Sequence, residues 1–260
     1  MRSDDDQPWW KTLFGQEEQK TTNVIEKTLQ AIPQEMHDAP IGWSVAAAAI
    51  GIPASIGLFR LIVGKRYPTA AHIPPQVFQK QKKIKGKVVS VGDSDNFRVY
   101  HTPGIGWGWL RHVPTAKKDL KDQTIHIRLA GVDAPEGAHF GMPAQPYSAE
   151  SKDFLSKMSL NKKVHLELYS RDRYERVVAM AHLRRWPFYW IRRNVSMEML
   201  KAGMASIYTA KGAEYGDSLE KLKKAEARAK LLRRGIWSQK DYVDPSEHKK
   251  QYLRGGDSPQ

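Results

Sequence analysis

An arginine and two acids stand close together in Arg128-Leu-Ala-Gly-Val-Asp133-Ala-Pro-Glu136. Upstream, Ile125, Ile127 and Leu129 alternate with His126 and Arg128, which predicts a strand over Thr124–Val132 with Arg128 on its polar face. Such a strand delivers Asp133 at its end, turns at Pro135 and presents Glu136. Two carboxylates at one strand end can serve a metal ion and a reacting water together. A second acidic pair, Asp93 and Asp95, lies in Gly92-Asp-Ser-Asp-Asn96. Calcium and magnesium take hard oxygen ligands, and separate loops each giving one Asp can build such a site. The third piece is Asp172-Arg173-Tyr174-Glu175-Arg176, a tight turn rich in planar, always-charged guanidinium groups suited to phosphate oxygens. Each piece taken singly also fits an ordinary turn or a surface ion pair. Their order and spacing together carry the argument.

The elements that must hold these residues are legible as periodicities. Ile84 to Tyr100 reads as a strand pair or bent strand broken at 92–95, and Lys163–Tyr169 and Arg176–Leu183 as further strands. Helical spacing appears over Ser148–Met158, Ser196–Ala202 and Ser218–Leu232, the last with Leu219, Leu222, Ala225, Ala229 and Leu232 near one stripe. Short strands followed by helices argue for the α+β class, a small closed barrel with packed helices.

Composition bounds the function. The 260 residues are 40% hydrophobic and carry a formal charge of +14. Residues 1–40 hold four Lys/Arg against eight Asp/Glu, so the basic excess belongs to the remainder, which attracts polyanions such as nucleic acid or an anionic membrane. With no cysteine, disulfides and zinc–thiolate sites are excluded. His126, His139, His165 and His182 lack the i, i+4 pairing of a zinc helix.

The organisation expected is an acidic polar tail over 1–40, a transmembrane helix over 41–64, a Pro-containing linker over 65–79, a globular body over 80–245 and a disordered tail over 246–260. No charge occurs between Asp38 and Arg60, and Trp43 at one end with Arg60, Lys65, Arg66 and Tyr67 at the other resemble interface anchors. Two Trp-rich loops stand apart. His101–Trp109 lacks the strand-then-helix setting of a dinucleotide fingerprint. Arg184–Arg193 mixes Trp and Arg in a way that suits stacking on bases, a membrane interface or packing on the body.

Taken in order, these motifs resemble the staphylococcal nuclease (thermonuclease) family over roughly Lys85–Ser238. Gly92–Asn96 resembles its metal-binding turn, Arg128–Glu136 its catalytic strand, Asp172–Arg176 the turn giving its second arginine, and Gly235-Ile-Trp-Ser238 the close of its last helix. The fungal members with one N-terminal membrane span, assigned to mitochondria, share this layout. The resemblance implies an OB-type five-stranded β-barrel with packed helices, preceded by one transmembrane helix. It implies a Ca2+-dependent endonuclease acting on DNA, RNA or both with low sequence specificity. Asp95 and Asp133 would hold Ca2+, with the carbonyl of Ala134 as a further ligand. Glu136 would be the general base, and Arg128 and Arg176 would stabilise the transition state. Arg173, Tyr174 and Tyr208 would bind substrate. A mitochondrial, single-pass location follows from the resemblance alone, because residues 1–40 do not look like an import signal. A monomer with no protein partner is expected.

The chain departs from the family at three places. Its metal turn reads Asp93-Ser-Asp-Asn96 in place of Asp-Gly-Asp-Thr, a change expected to loosen the calcium site. Ala134 stands where threonine is usual, and Glu175 where glycine is usual. These departures keep open an alternative of another class, a membrane-tethered OB module that binds nucleic acid without cutting it.

Overall fold

Apolar residues at every second position dictate which strands form and which way they face. In the computed structural model, Ile125–Leu129 buries its first, third and fifth residues and leaves His126 and Arg128 half-buried on the other side. The structure describes residues 62–138, 143–184, 191–210, 212–240 and 242, with Asn23, Glu26, Lys27 and scattered residues from 51 to 59. The chain divides into two units, Met1–Gly64 and Lys65–Gln260.

Within the first unit the described residues up to Val63 are helical, and Ile52, Ile56, Phe59 and Ile62 are exposed. Among the described residues no helix is long and apolar enough to cross a membrane. Most of the span expected over 41–64 lies outside the described residues, as do the 1–40 tail apart from three positions and the whole of 246–260.

The second unit holds strands β1 (Lys83–Asp93), β2 (Asn96–His101), β3 (Ile125–Leu129), β4 (Val132–Asp133), β5 (Lys163–Arg171), β6 (Val177–Arg184), β7 (Arg192–Asn194) and β8 (Ser206–Ile207). Its α-helices are α1 (Pro75–Gln79), α2 (Lys117–Leu120), α3 (Ser148–Ser159), α4 (Val195–Ala202) and α5 (Leu219–Leu231). Sheet order is β3-β2-β1-β5-β6-β7, and a parallel β3–β6 pairing joins the ends of the run β3 to β6. Among the described residues, β1, β2, β3, β6 and β5 therefore form a closed ring of five strands, the OB arrangement, with β7 added outside it. The other pairings in this sheet are antiparallel. Gly86 is required where β1 crosses β2, because a Cβ there would collide with the Val99 side chain.

Val88, Phe97, Val99, Ile127, Leu166 and Leu168 fill the ring and are completely buried. Each such side chain contributes about 2 kcal/mol through burial. Helices α3, α4 and α5 close the barrel with Leu155, Met199 and Leu222. Asn194 caps α4 by accepting the Met197 N–H, and Gly203 ends it in the left-handed conformation.

One expectation needs correction. The stretch 65–79 is not a free linker. Ala70, Ile73 and Val77 are buried in the same core as the strands. Arg66 donates to the side chain and carbonyl of Gln123, and the Tyr67 N–H donates to His101 Nδ1. The prolines that signalled a stiff spacer instead start a short helix, with Pro75 at its first position.

Candidate active site

Asp93 to Asn96 is the tight hairpin between β1 and β2. The Asp93 carboxylate accepts the Ser94 N–H, fixing the turn locally. Asp95 is locked to the neighbouring strand through its backbone, since its carbonyl accepts the Leu129 N–H at 2.9 Å. Asn96 pairs with Arg128 in the β2–β3 ladder, which brings the turn alongside the arginine. After β3 the chain reverses at Gly131, whose φ of +75° is left-handed. A Cβ there would come within 2.9 Å of Leu222 and 3.2 Å of Tyr215, so only glycine lets the turn settle against α5. Strand β4 then pairs with β8, with Asp133 opposite Ser206.

The result is convergence on one cation. Arg128 Nε lies 3.3 Å from Asp95 Oδ2, and its Nη2 lies 3.6 Å from Asp133 Oδ1. All three side chains are largely shielded from water, Asp133 most of all at 6% exposure. Burial opposes the Arg128 charge, but Asp95 and Asp133 together outweigh it and raise its pKa. The ring of Tyr208 lies under the same guanidinium, 4.4 Å from its centre.

A hard divalent cation fits this donor set. Two carboxylates from separate turns already face one positive group, and the neighbouring Ala134 is buried beside Asp133. Among the described residues no group of three His, Cys, Asp or Glu side chains could hold a metal, so carbonyl or water oxygens would complete the shell.

Glu136 is held by its backbone. Its N–H donates to Gln145 Oε1 and its carbonyl accepts the Gln145 N–H, both at 2.9 Å. Gln145 is buried and nothing in the sequence marked it, nine positions beyond Glu136. The altered metal turn also does more than its composition foretold. Ser94 Oγ donates to the Pro135 carbonyl and so ties the two acidic turns together. Asn96 Nδ2 donates to Asp95 Oδ1 at 2.9 Å, while its own Oδ1 accepts from His126 Nε2 at 3.0 Å. Burial first, then Arg98 and Arg176, push His126 down to about 4, so it serves as a neutral donor near pH 7. Ser94 and Asn96 thus both brace the turn.

Arg176 stands one position before the β3–β6 ladder, in which Ile127 faces Val177. Alternation therefore places it on the face that carries His126 and Arg128. Its Nε donates to Asp172 Oδ2 at 2.7 Å, and Asp172 Oδ1 accepts the backbone N–H groups of Tyr174 and Arg176. Burial works against the Asp172 charge, but these hydrogen bonds outweigh it and hold the carboxyl below its ordinary range. Arg173 and Arg176 lie 4.8 and 5.3 Å from the centre of the exposed Tyr174 ring. Glu175 sits at φ +58°, which explains why glycine suits that position.

Residues 126–239 match the family described as staphylococcal nuclease homologue. Among curated proteins, the chain is 50% identical over 196 residues to the probable endonuclease LCL3 of Candida albicans (strain WO-1), covering 74% of this chain and 82% of that protein. It is 42% identical over 238 residues to the probable endonuclease LCL3 of Pyricularia oryzae, covering 89% and 91%. Against that of Schizophyllum commune it is 44% identical over 255 residues, covering 94% and 86%.

Proposed function

From the premise that this chain belongs to the staphylococcal nuclease homologues and is an endonuclease of the fungal kind, we propose that it cleaves DNA or RNA with Ca2+ as cofactor. The observation that carries the reading is the convergence of Asp95 and Asp133, from separate turns, on the Arg128 guanidinium. Asp95, Asp133 and the Ala134 carbonyl would hold the ion, which supplies positive charge against the phosphate when bound.

A phosphodiester is anionic, and attack by water gathers more negative charge on its oxygens. Arg128 and Arg176, each oriented by a carboxylate, present planar donors to those oxygens. The Glu136 carboxylate takes the proton from the attacking water as the new P–O bond forms and the P–O bond to one sugar oxygen breaks, that oxygen leaving and taking a proton from solvent. Gln145 fixes the backbone from which it reaches. Tyr208 lies against Arg128, and Arg173 with Tyr174 offers a second cationic, stackable surface to the strand.

To test this, the full chain is incubated with single-stranded DNA, with and without Ca2+. Cleavage that EGTA abolishes and that Glu136→Gln lowers by about 100-fold or more is expected. Binding without cleavage under every divalent ion would establish the non-catalytic OB module instead. The membrane span over 41–64 and the mitochondrial location belong to the same proposal, supported by the uncharged run between Asp38 and Arg60. Carbonate extraction should leave the chain in the membrane pellet.

A further inference from the structure

The loop after β2 contains three large apolar side chains that the body does not cover. Ile105, Trp109 and Leu110 are 64%, 75% and 70% exposed, within six residues of one another. A floppy loop would fold such groups back, but this one is built. Trp107 Nε1 and Arg111 Nη1 both donate to the Pro103 carbonyl, at 2.7 and 3.1 Å. The Leu110 and Arg111 N–H groups both donate to the Gly106 carbonyl, and Arg111 stacks over the Trp107 ring at 4.0 Å. Trp107 meets Tyr100 edge-on, anchoring the base of the loop to β2. The inner tryptophan is thus fixed, and the outer three residues are held outward.

The surroundings are cationic. Lys85 and Lys163 reach the loop's backbone at Gly104 and Trp107, both at 3.4 Å. Residues 103–121 carry Arg111, Lys117, Lys118 and Lys121 against Asp119 alone. An apolar tip with a basic collar matches the boundary between anionic headgroups and acyl chains. Position in the chain points the same way. Arg66 stacks on Tyr100 at 3.9 Å and Tyr67 on His101 at 5.1 Å, so the first residues of the second unit lie at the base of this loop. The uncharged run ends at Phe59, only a few residues earlier.

We propose that residues 104–111 form a second membrane contact, with Ile105, Trp109 and Leu110 dipping into the bilayer that the uncharged run enters. The proposal rests on the membrane-span part of the preceding reading. It also accounts for orientation. The loop follows the His101 end of β2, whereas Asp95 precedes the Asn96 end. At about 3.4 Å per residue these ends are roughly 17 Å apart. A domain resting on this tip keeps the acidic turns away from the lipid and open to substrate. Nucleic acid is the less suitable occupant, because of the three tip residues only Trp109 offers bases a stacking surface and the tip is remote from Asp95.

The absence of cysteine permits a clean test. Full-length chains carrying Leu110→Cys, Ile105→Cys or, as a control on α5, Leu231→Cys are labelled with an environment-sensitive fluorophore. They are then reconstituted with vesicles of phosphatidylcholine and phosphatidylserine. Blue-shifted emission and quenching by spin-labelled lipid are expected at 110 and 105, and neither at 231, which is 83% exposed elsewhere on the surface. Chains that float with the vesicles while both tip probes report water would overturn the loop contact and leave the span intact. Chains that do not float at all would remove both. A shift produced by single-stranded DNA without vesicles would assign the tip to nucleic acid and defeat the proposal. None of these readouts depends on cleavage.

Discussion

Arg128, on β3, and Arg176, one residue before β6, face the same side of the barrel, yet they are held by opposite means. Arg176 is oriented within a five-residue turn, where Asp172 accepts both its backbone N–H and its side chain. Arg128 takes one partner, Asp133, from five residues on and the other, Asp95, from 33 residues back. Its two carboxylates come from the β1–β2 hairpin and from β4, and its aromatic support from the residue after β8. A turn can orient an arginine wherever that turn is found. The Arg128 cluster exists only when the barrel is closed and β8 is docked. Phosphate recognition by Arg176 should therefore be nearly independent of fold stability, while the Arg128 cluster should couple stability to the cation.

The largest expected effect treats the two alike. Arg128→Ala and Arg176→Ala should each lower kcat about 100- to 1000-fold on single-stranded DNA, as loss of one transition-state donor does. If either retains near-normal turnover, that arginine is not at the reacting phosphate.

Stability should then separate them. In EGTA, Arg128→Ala leaves Asp95 and Asp133 shielded without that guanidinium, at a cost of about 3 kcal/mol. Ca2+ should restore most of that loss in a denaturant titration. Arg176→Ala leaves a partly solvated turn in which Asp172 still accepts the Tyr174 N–H, so less than about 1 kcal/mol is expected, with or without Ca2+. Equal losses insensitive to Ca2+ would refute the coupling.

The aromatic supports give a finer contrast. Tyr208→Leu removes the ring under the shielded Arg128 and should reduce kcat/KM roughly fivefold, near 1 kcal/mol. Tyr174→Leu removes an exposed ring and should cost about twofold.

The smallest effect is in pH. The Asp172 pKa is lowered in the folded chain, so its contribution is fully present above the unfolded carboxylate value near 3.9. It is lost as pH falls through the lower folded value. Unfolding curves of the wild type and Asp172→Asn should differ by a constant amount above pH about 5 and converge in stronger acid. A difference that instead grows with acidity has the wrong sign.

How much was readable beforehand differs by element. The alternation at 125–129 anticipated β3 but not its end: the strand expected to run to Val132 and turn at Pro135 stops at Leu129 and reverses at Gly131, which leaves Asp133 on the separate β4. Helices α3, α4 and α5 fall within a residue or so of their expected bounds. Strands β4, β7 and β8 were missed because two or three residues cannot show an alternation. Gln145 was missed because its hydrogen bonds are to backbone across a loop, and no spacing rule reports those. The stretch 65–79 misled because its prolines signal stiffness, whereas the burial of Ile73 and Val77 depends on a surface made elsewhere.

Local chemistry written in the chain settled which groups were available. These were oxygen donors in two tight turns, guanidinium forks on polar strand faces, no thiol, and an apolar run without charge. What only the folded body decided is which of them meet. Closure of β3 on β6 and pairing of β4 with β8 bring together Asp95, Arg128, Asp133 and Tyr208, as much as 113 positions apart in sequence. The reason is physical. Periodicity reports how a residue sits relative to its own strand, while convergence depends on the register between strands, which the whole core sets at once.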